Sequence, residues 1–423
     1  MNTLLKNANI VCKDKVVAGS LAVENGKIAS VGKIPARAKA DAVVDCRGLY
    51  VLPGFFESHF HGIAHFDFYG GTDPVTHEHT GSYDDAIARI MEYLPRIGVT
   101  SALLSSYTAE REKMELFFRE ARKYRDRPHP GHARLRGLDL EGNFLKDPLF
   151  AGAQDPDKVF EPDIDLFEEW QELSGGGIVK ALIAPEWGES AFTLIRHMAK
   201  KGLFPSVGHT GCTRDQLLKA HDCGTRVVVH TGNGPMSQNF KTGGALDGIF
   251  ELGPRLYGEV ICDLCHVHPH WINTFLKCFS QKRTLAISDA GHTTCAGLKE
   301  GDEVGGCLVK NGALWIKNKV NTLAGSVTPL SGGFRNMINL FTSDRKAYFQ
   351  EGIDRPYSLD EALPRLSRLY SLNAAELMGL DGEIGSVARG KSADLIVAEI
   401  KGSPGRYGFS IRKVFVAGVE AVS

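Results

Sequence analysis

Between residues 54 and 377 strand-like and helix-like runs alternate about eight times, a pattern that few folds accommodate. Apolar runs rich in β-branched residues fall at 100–105, 135–140, 178–184, 203–207, 226–229, 257–262 and 283–287. Amphipathic stretches lie between several of them, at 84–97, 110–124, 191–200 and 215–223, where apolar residues return at helical spacing. The most economical closure is a (β/α)8 barrel of the TIM type, with its active site at the C-terminal ends of the strands. An open doubly wound sheet is the competing architecture. Its nucleotide-binding form has little support, because no Gly-x-Gly-x-x-Gly or Walker-type loop follows a strand.

The two ends of the chain differ from this middle. Residues 3–52 read as short strands with a hairpin signal at Asn25-Gly26, and strand-like runs return at 393–397 and 413–419. Neither end suffices for a core, so residues 1–53 and 378–423 together predict one small β-sandwich domain, with 54–377 as the catalytic barrel. The overall class is α/β.

Polar residues cluster just beyond the predicted strands. The run Leu52-Pro53-Gly54-Phe55-Phe56-Glu57-Ser58 ends in His59-Phe60-His61, and alternate residues of a strand face the same way, so both imidazoles can reach one point. Glu141 follows the strand at 135–140, His209 the strand at 203–207, His230 that at 226–229 and Asp289 that at 283–287. Taken singly, each reads as a surface carboxylate, a satisfied strand-end histidine or a helix cap. Four imidazoles and two carboxylates at the same end of successive strands are harder to ascribe to chance. This donor set suits zinc, iron, manganese or cobalt. His77-Glu78-His79 repeats the spacing in a polar loop and reads as solvated, whereas His266, after the strand at 257–262, can face a substrate.

Composition narrows the function classes. Lys and Arg number 49 against 50 Asp and Glu, a net charge of -1 that gives no field to attract nucleic acid or an anionic membrane. No stretch has the length of a membrane span, and the first eight residues lack a signal-like pattern, which predicts a cytoplasmic protein. Nine scattered cysteines fit reduced thiols, and Cys262-Asp263-Leu264-Cys265 reads as a pair of buried thiols, with no second pair to complete a zinc site.

These residues carry a resemblance. Pro53-Gly54 through His59-Phe60-His61-Gly62, Gly98-Val99-Thr100-Ser101, Leu140-Glu141-Gly142-Asn143-Phe144, Ala184-Pro185-Glu186, Gly208-His209-Thr210, His230-Thr231-Gly232-Asn233, His266-Val267, Ser288-Asp289-Ala290, Leu323-Ala324-Gly325-Ser326 and Gly390-Lys391-Ser392-Ala393-Asp394-Leu395 follow one another along nearly the whole chain. In that order they resemble the amidohydrolase superfamily and, within it, the N-acetylglucosamine-6-phosphate deacetylases. The resemblance implies a metal-dependent barrel with a β-sandwich built from both termini. It also implies that His59, His61 and Glu141 hold one divalent ion, zinc foremost, and that Glu141, His209 and His230 hold a second. Asp289 would be the catalytic acid/base.

The implied reaction is hydrolysis of the N-acetyl group of an amino sugar phosphate to amine and acetate, with His266 and Asn233 orienting the sugar in a homodimer. Another amidohydrolase, such as a deacylase of N-acyl amino acids or unphosphorylated acyl sugars, or a deaminase, is the alternative. Four positions depart from the family pattern. Asn143 stands for a proline, and Gln154 for a histidine that assists the substrate carbonyl; glutamine donates a hydrogen bond but carries no proton. The phosphate-contacting pair becomes Asn233-Gly234, and Lys241 replaces an arginine, keeping the charge without the bidentate fork.

Overall fold

The computed structural model describes residues 2–34, 40–72, 79–80, 83–233, 236–320, 322–343 and 355–421. Its centre is a sheet of eight strands, each parallel to its neighbours: β1 (Phe55–Glu57), β2 (Val99–Ser105), β3 (Arg134–Phe144), β4 (Ile178–Ile183), β5 (Phe204–Val207), β6 (Val227–Val228), β7 (Tyr257–Ile261) and β8 (Thr284–Ile287). They pair in sequence order from β1 to β8. The ends of this sheet meet just past the strands, where Asp289 N donates to His59 O at 3.2 Å and His61 N to Ala290 O at 2.7 Å. The result is a nearly closed barrel.

Helices return the chain between strands: α1 (Tyr83–Tyr93), α2 (Arg111–Arg125), α3 (Ile164–Leu173), α4 (Glu189–Lys200), α5 (Arg214–Cys223), α6 (Ala245–Leu252), α7 (Pro269–Phe279) and α8 (Leu330–Thr342). Where the sequence predicts one helix over 84–97, α1 gives way to a 3-10 turn at Leu94–Ile97, because Pro95 lacks the N–H that would continue the α-helical ladder. Thr213 and Gln216 form a reciprocal capping box that sets the start of α5. The main core lies between barrel and helices, with Phe117, Phe118, Phe144, Phe167 and Trp170 fully buried in it. No helix among the described residues is long and apolar enough to cross a membrane.

A second eight-stranded sheet joins both ends of the chain. Tyr50–Pro53 pairs antiparallel with Leu395–Lys401, and Thr3–Val11 pairs with Val16–Glu24, a single strand where the sequence suggests two short ones. Leu5, Ile10, Leu21, Val51, Leu395 and Phe415 form its apolar core. The Asn25-Gly26 hairpin appears as expected, with both residues at positive φ.

The seam between this sheet and the barrel joins apolar packing, with Leu52, Ile396 and Val414 in the main core, to a polar cluster. Arg134, at the start of β3, donates to Glu383 at 2.9 Å, to Ser392 Oγ at 3.1 Å and to Asp394. Asp394, almost fully buried, also accepts the Ala417 amide at 2.7 Å. Asp394→Ala leaves the Arg134 guanidinium and that amide short of an acceptor, with an expected cost of about 1–3 kcal/mol in denaturant unfolding. Arg412→Ala, which breaks an exposed pair with Glu399, should cost less than about 1 kcal/mol in the same measurement.

Candidate metal centre and active site

The C-terminal ends of the barrel strands bring six side chains to one point. Glu141 lies at the middle, 98% shielded from solvent, and its two oxygens face different partners. Oε1 is 2.6 Å from His230 Nε2, 3.2 Å from His209 Nε2 and 3.7 Å from His59 Nε2. Oε2 is 3.2 Å from His61 Nε2. Asp289 Oδ1 stands 3.3 Å from His61 Nε2 and 3.7 Å from His59 Nε2.

Local backbone geometry produces this convergence. Glu141 lies within β3 rather than after it, because the strand runs on to Phe144 across a register shift against β4. Period-two alternation then sends Leu138 and Leu140 to the outer core and turns Asp139 and Glu141 into the barrel. The shift centres on Gly142, whose φ is 91° and where a Cβ would stand 2.6 Å from Gln154 Oε1. His209, His230 and Asp289 each have positive φ, at 43°, 26° and 52°, directly after β5, β6 and β8. Such backbone is costly for residues other than glycine and persists where surrounding contacts enforce it, as they do at functional sites.

The hydrogen bonds fix which ring nitrogen faces inward. Nδ1 of His61, His209 and His230 lies against the backbone oxygens of Ser105 (3.3 Å), Phe150 (3.0 Å) and Asn233 (2.9 Å), so each Nδ1 carries a hydrogen and each Nε2 is left facing the centre, free to hold a proton or a metal. His209 Nε2 and His230 Nε2 then face each other at 3.2 Å, with a carboxylate beside them. Nitrogens and a carboxylate at these separations require positive charge among them, supplied by protons or by a metal cation.

The charge balance shows the same demand. Burial alone would lower the basicity of His230, but the Glu141 carboxylate overrides it and pushes its pKa up to about 9. Burial opposes ionisation of Glu141 and Asp289 as well, yet the surrounding imidazoles hold Glu141 well below the usual carboxylate range and Asp289 at about 2. Two groups of ligand atoms, His59, His61, Glu141 and Glu141, His209, His230, each lie within 4.8 Å of one another. His59 Nε2 is buried with no hydrogen-bond partner. Imidazole and carboxylate donors in this arrangement fit a divalent cation.

The Amidohydrolase family pattern matches residues 336–420. Over 402 residues the chain is 28% identical to the N-acetylglucosamine-6-phosphate deacetylase of Bacillus subtilis (strain 168), covering 93% of this chain and 92% of that protein. The N-acetylgalactosamine-6-phosphate deacetylase of Escherichia coli O157:H7 is 26% identical over 382 residues, 90% of each chain. A solved structure of an N-acetyl-D-glucosamine-6-phosphate deacetylase variant from Mycobacterium smegmatis, in complex with N-acetyl-D-glucosamine-6-phosphate, superposes with a TM-score of 0.80 at 24% identity over 100% of both chains. These matches make the chain similar to the amidohydrolases and support a hydrolytic enzyme.

Other positions singled out in the sequence fall on or near the centre to differing degrees. His266 is buried, its Nδ1 2.6 Å from Asp263 Oδ2 and its Nε2 without a partner. Asn233 caps the turn after β6 and spends its carbonyl on His230. Gln154 is committed at both ends of its amide: Nε2 donates to Glu141 Oε2 at 2.7 Å, and Oε1 accepts the Thr108 amide at 2.9 Å. Asn143 is fully buried and accepts from Ser106 Oγ at 2.9 Å. Lys241 is exposed on the loop after β6, beside Phe240, which is 92% exposed. Gly234 lies outside the described residues, as do His77 and Glu78. Of the two spaced cysteines, Cys262 is buried but Cys265 is exposed, contrary to the expectation of two buried thiols.

Sequence reasoning missed the layer beneath the centre. Asp139 of β3, Lys180 of β4 and Glu259 of β7 are fully buried and meet across the barrel: Lys180 Nζ is 3.0 Å from Asp139 Oδ2 and contacts Glu259 Oε1. The available signal was a lone charged residue inside the otherwise apolar runs of β4 and β7. Glu186, in the Ala184-Pro185-Glu186 run, accepts the Gly211 amide at 2.9 Å and the Thr210 hydroxyl, bracing the turn that carries His209.

Glu141 is shared by both ligand groups, so Glu141→Ala should abolish tight binding of divalent ions altogether. His61→Ala should remove one ion equivalent at most. Elemental analysis of dialysed, folded protein distinguishes the two outcomes.

Proposed function

We propose that this protein hydrolyses the N-acetyl group of an N-acetylhexosamine 6-phosphate, releasing acetate and the free amine. The observation that carries the reading is Asp289 beside a carboxylate that joins two imidazole groups, in a chain whose deacetylase relatives align over nine-tenths of its length. His59, His61 and Glu141 would hold one divalent ion and Glu141, His209 and His230 another, zinc being first among the candidates by its preference for nitrogen and carboxylate ligands. When bound, such an ion acts as a Lewis acid on the carbonyl and lowers the pKa of water from about 15.7 towards about 7.

The chain's own residues supply the proton transfers. Asp289, held ionised by its imidazole neighbours, accepts a proton from the attacking water as the new C–O bond forms. It then delivers that proton to the amide nitrogen as the C–N bond breaks, because an amine leaves poorly unless protonated. Gln154 is tied to Glu141 and Thr108, so in this arrangement it steadies the bridging carboxylate, and the sugar is oriented by His266 and Asn233 instead. Lys241 is too exposed to serve a closed pocket alone. Its position beside exposed Phe240 supports a homodimer in which this loop reaches the partner's substrate phosphate. A cytoplasmic location completes the reading.

Incubation of metal-loaded protein with N-acetylglucosamine 6-phosphate, its galactosamine epimer and the two unphosphorylated sugars, with free amine measured, tests the proposal. Release from a phosphorylated sugar is expected; release confined to unphosphorylated sugars or to N-acyl amino acids would replace it with the deacylase alternative. Asp289→Asn should lower kcat by about 10²–10⁴-fold while metal content stays unchanged. Lys241→Ala should raise KM for the phosphorylated sugar by about 10- to 100-fold and leave kcat nearly intact, the pattern of a lost charge-assisted contact.

A further inference from the structure

The four imidazoles of the centre are not backed alike. His61, His209 and His230 rest their Nδ1 atoms on backbone carbonyls. Behind His59 stand carboxylates: Asp139 Oδ2 is 3.0 Å and Glu259 Oε2 3.5 Å from its Nδ1, electrostatic contacts that are not aligned as hydrogen bonds. Asp139 is itself clamped. Its Oδ2 accepts Ser105 Oγ at 2.9 Å and lies 3.0 Å from Lys180 Nζ. The three donors of Lys180 are matched by Asp139, Glu259 and the Ser58 backbone oxygen at 3.1 Å, so the ammonium is saturated and immobile.

One ammonium faces two carboxylates in a place from which water is excluded. The excess negative charge lies on the far side of the His59 ring from Glu141. A carboxylate behind a ligand histidine fixes the tautomer and makes the ring a stronger donor; changing such a partner typically costs about 10–100-fold in metal affinity. Only the group containing His59 has this support.

We propose that Asp139, held by Lys180 and Ser105, is a positioning residue that selectively strengthens divalent-ion binding by the His59, His61, Glu141 group relative to the Glu141, His209, His230 group. The inference rests on reading both groups as metal sites. It predicts an unequal pair of ions, in which the affinity of one is set by a side chain that touches neither the ion nor the substrate.

The test is a Zn²⁺ titration of metal-free protein in competition with a chromophoric chelator, with thermal melting to confirm folding. Wild type should show two binding steps, and the step lost in His61→Ala identifies the first group. Asp139→Asn keeps the size and the acceptor but removes the charge; it should weaken that step by about 10–100-fold and leave the other nearly unchanged. Ser105→Ala, which removes one support of Asp139 and is the milder change should the first variant not fold, should weaken the same step by about 2- to 10-fold. An unaltered first step, or equal weakening of both steps, in whichever variants fold would overturn the inference while leaving the metal centre in place. Failure of wild type to bind a second ion, or of His61→Ala to lose a step, would overturn the two-site reading along with it.

Discussion

The structure depends on one carboxylate having several imidazoles around it. Glu141 lies 2.6–3.7 Å from four histidine nitrogens, and that geometry is tolerable only because its own position is fixed on every side. Its amide donates to Ser106 Oγ, and the same hydroxyl lies 3.2 Å from its carbonyl; Gln154 holds Oε2, and the Gly142 turn sets the direction of the strand. Each of these contacts comes from a different strand end or loop. A barrel supplies them together because all eight strands run the same way and end in one place. An open sheet would spread the same residues along an edge.

Beneath this centre the barrel interior is ionic where apolar packing would serve stability as well or better. Burying an ammonium and two carboxylates carries a large desolvation cost, and replacing such groups by hydrophobic residues is often neutral or stabilising. Here the cost is offset by full pairing of Lys180, whose pKa is raised despite burial because Asp139 and Glu259 flank it. Glu57, close by, behaves differently. Burial pushes its pKa up to about 8 even though it accepts the Ser288 and His59 amides, so at neutral pH it is largely protonated and adds little further negative charge. The charge that remains is concentrated behind His59.

The sequence carried the parts of this design that periodicity encodes. Seven of the eight barrel strands and four of the helices begin and end within a few residues of their predicted limits, because near-continuous apolar runs and helical spacing are local signals. The ends of the strands could likewise be searched for histidines and carboxylates. What it could not show was pairing across the barrel. Lys180 and Glu259 are each a single charged residue in an apolar run, Asp139 is one of several in its strand, and nothing in their spacing, 41 and 79 residues apart, says that they meet. Glu141 was placed after its strand because a bulge does not interrupt hydrophobicity in a way that sequence displays. Gln154 was read for its chemistry alone, and its partners Thr108 and Glu141 became visible only in three dimensions.

Closure of the barrel connects the chemistry to the fold. Asp289 donates its backbone amide to His59 O, and His61 donates its own to Ala290 O, so the hydrogen bonds that join the first strand to the last also set the 3.3 Å between Asp289 and His61. The acid/base group and the first ligand pair are therefore parts of one seam and cannot be displaced independently. Residues assigned to the sugar phosphate occupy another kind of position. Asn233 sits on a turn, and Lys241 on an exposed loop held by isolated bridges at Met236 and Gly244 rather than by a barrel strand. Bond cleavage thus rests on backbone fixed by the barrel's closing hydrogen bonds and substrate choice on turns and loops. On such a scaffold the sugar or its phosphate can change through a few loop substitutions, whereas changing the reaction would require rebuilding the seam.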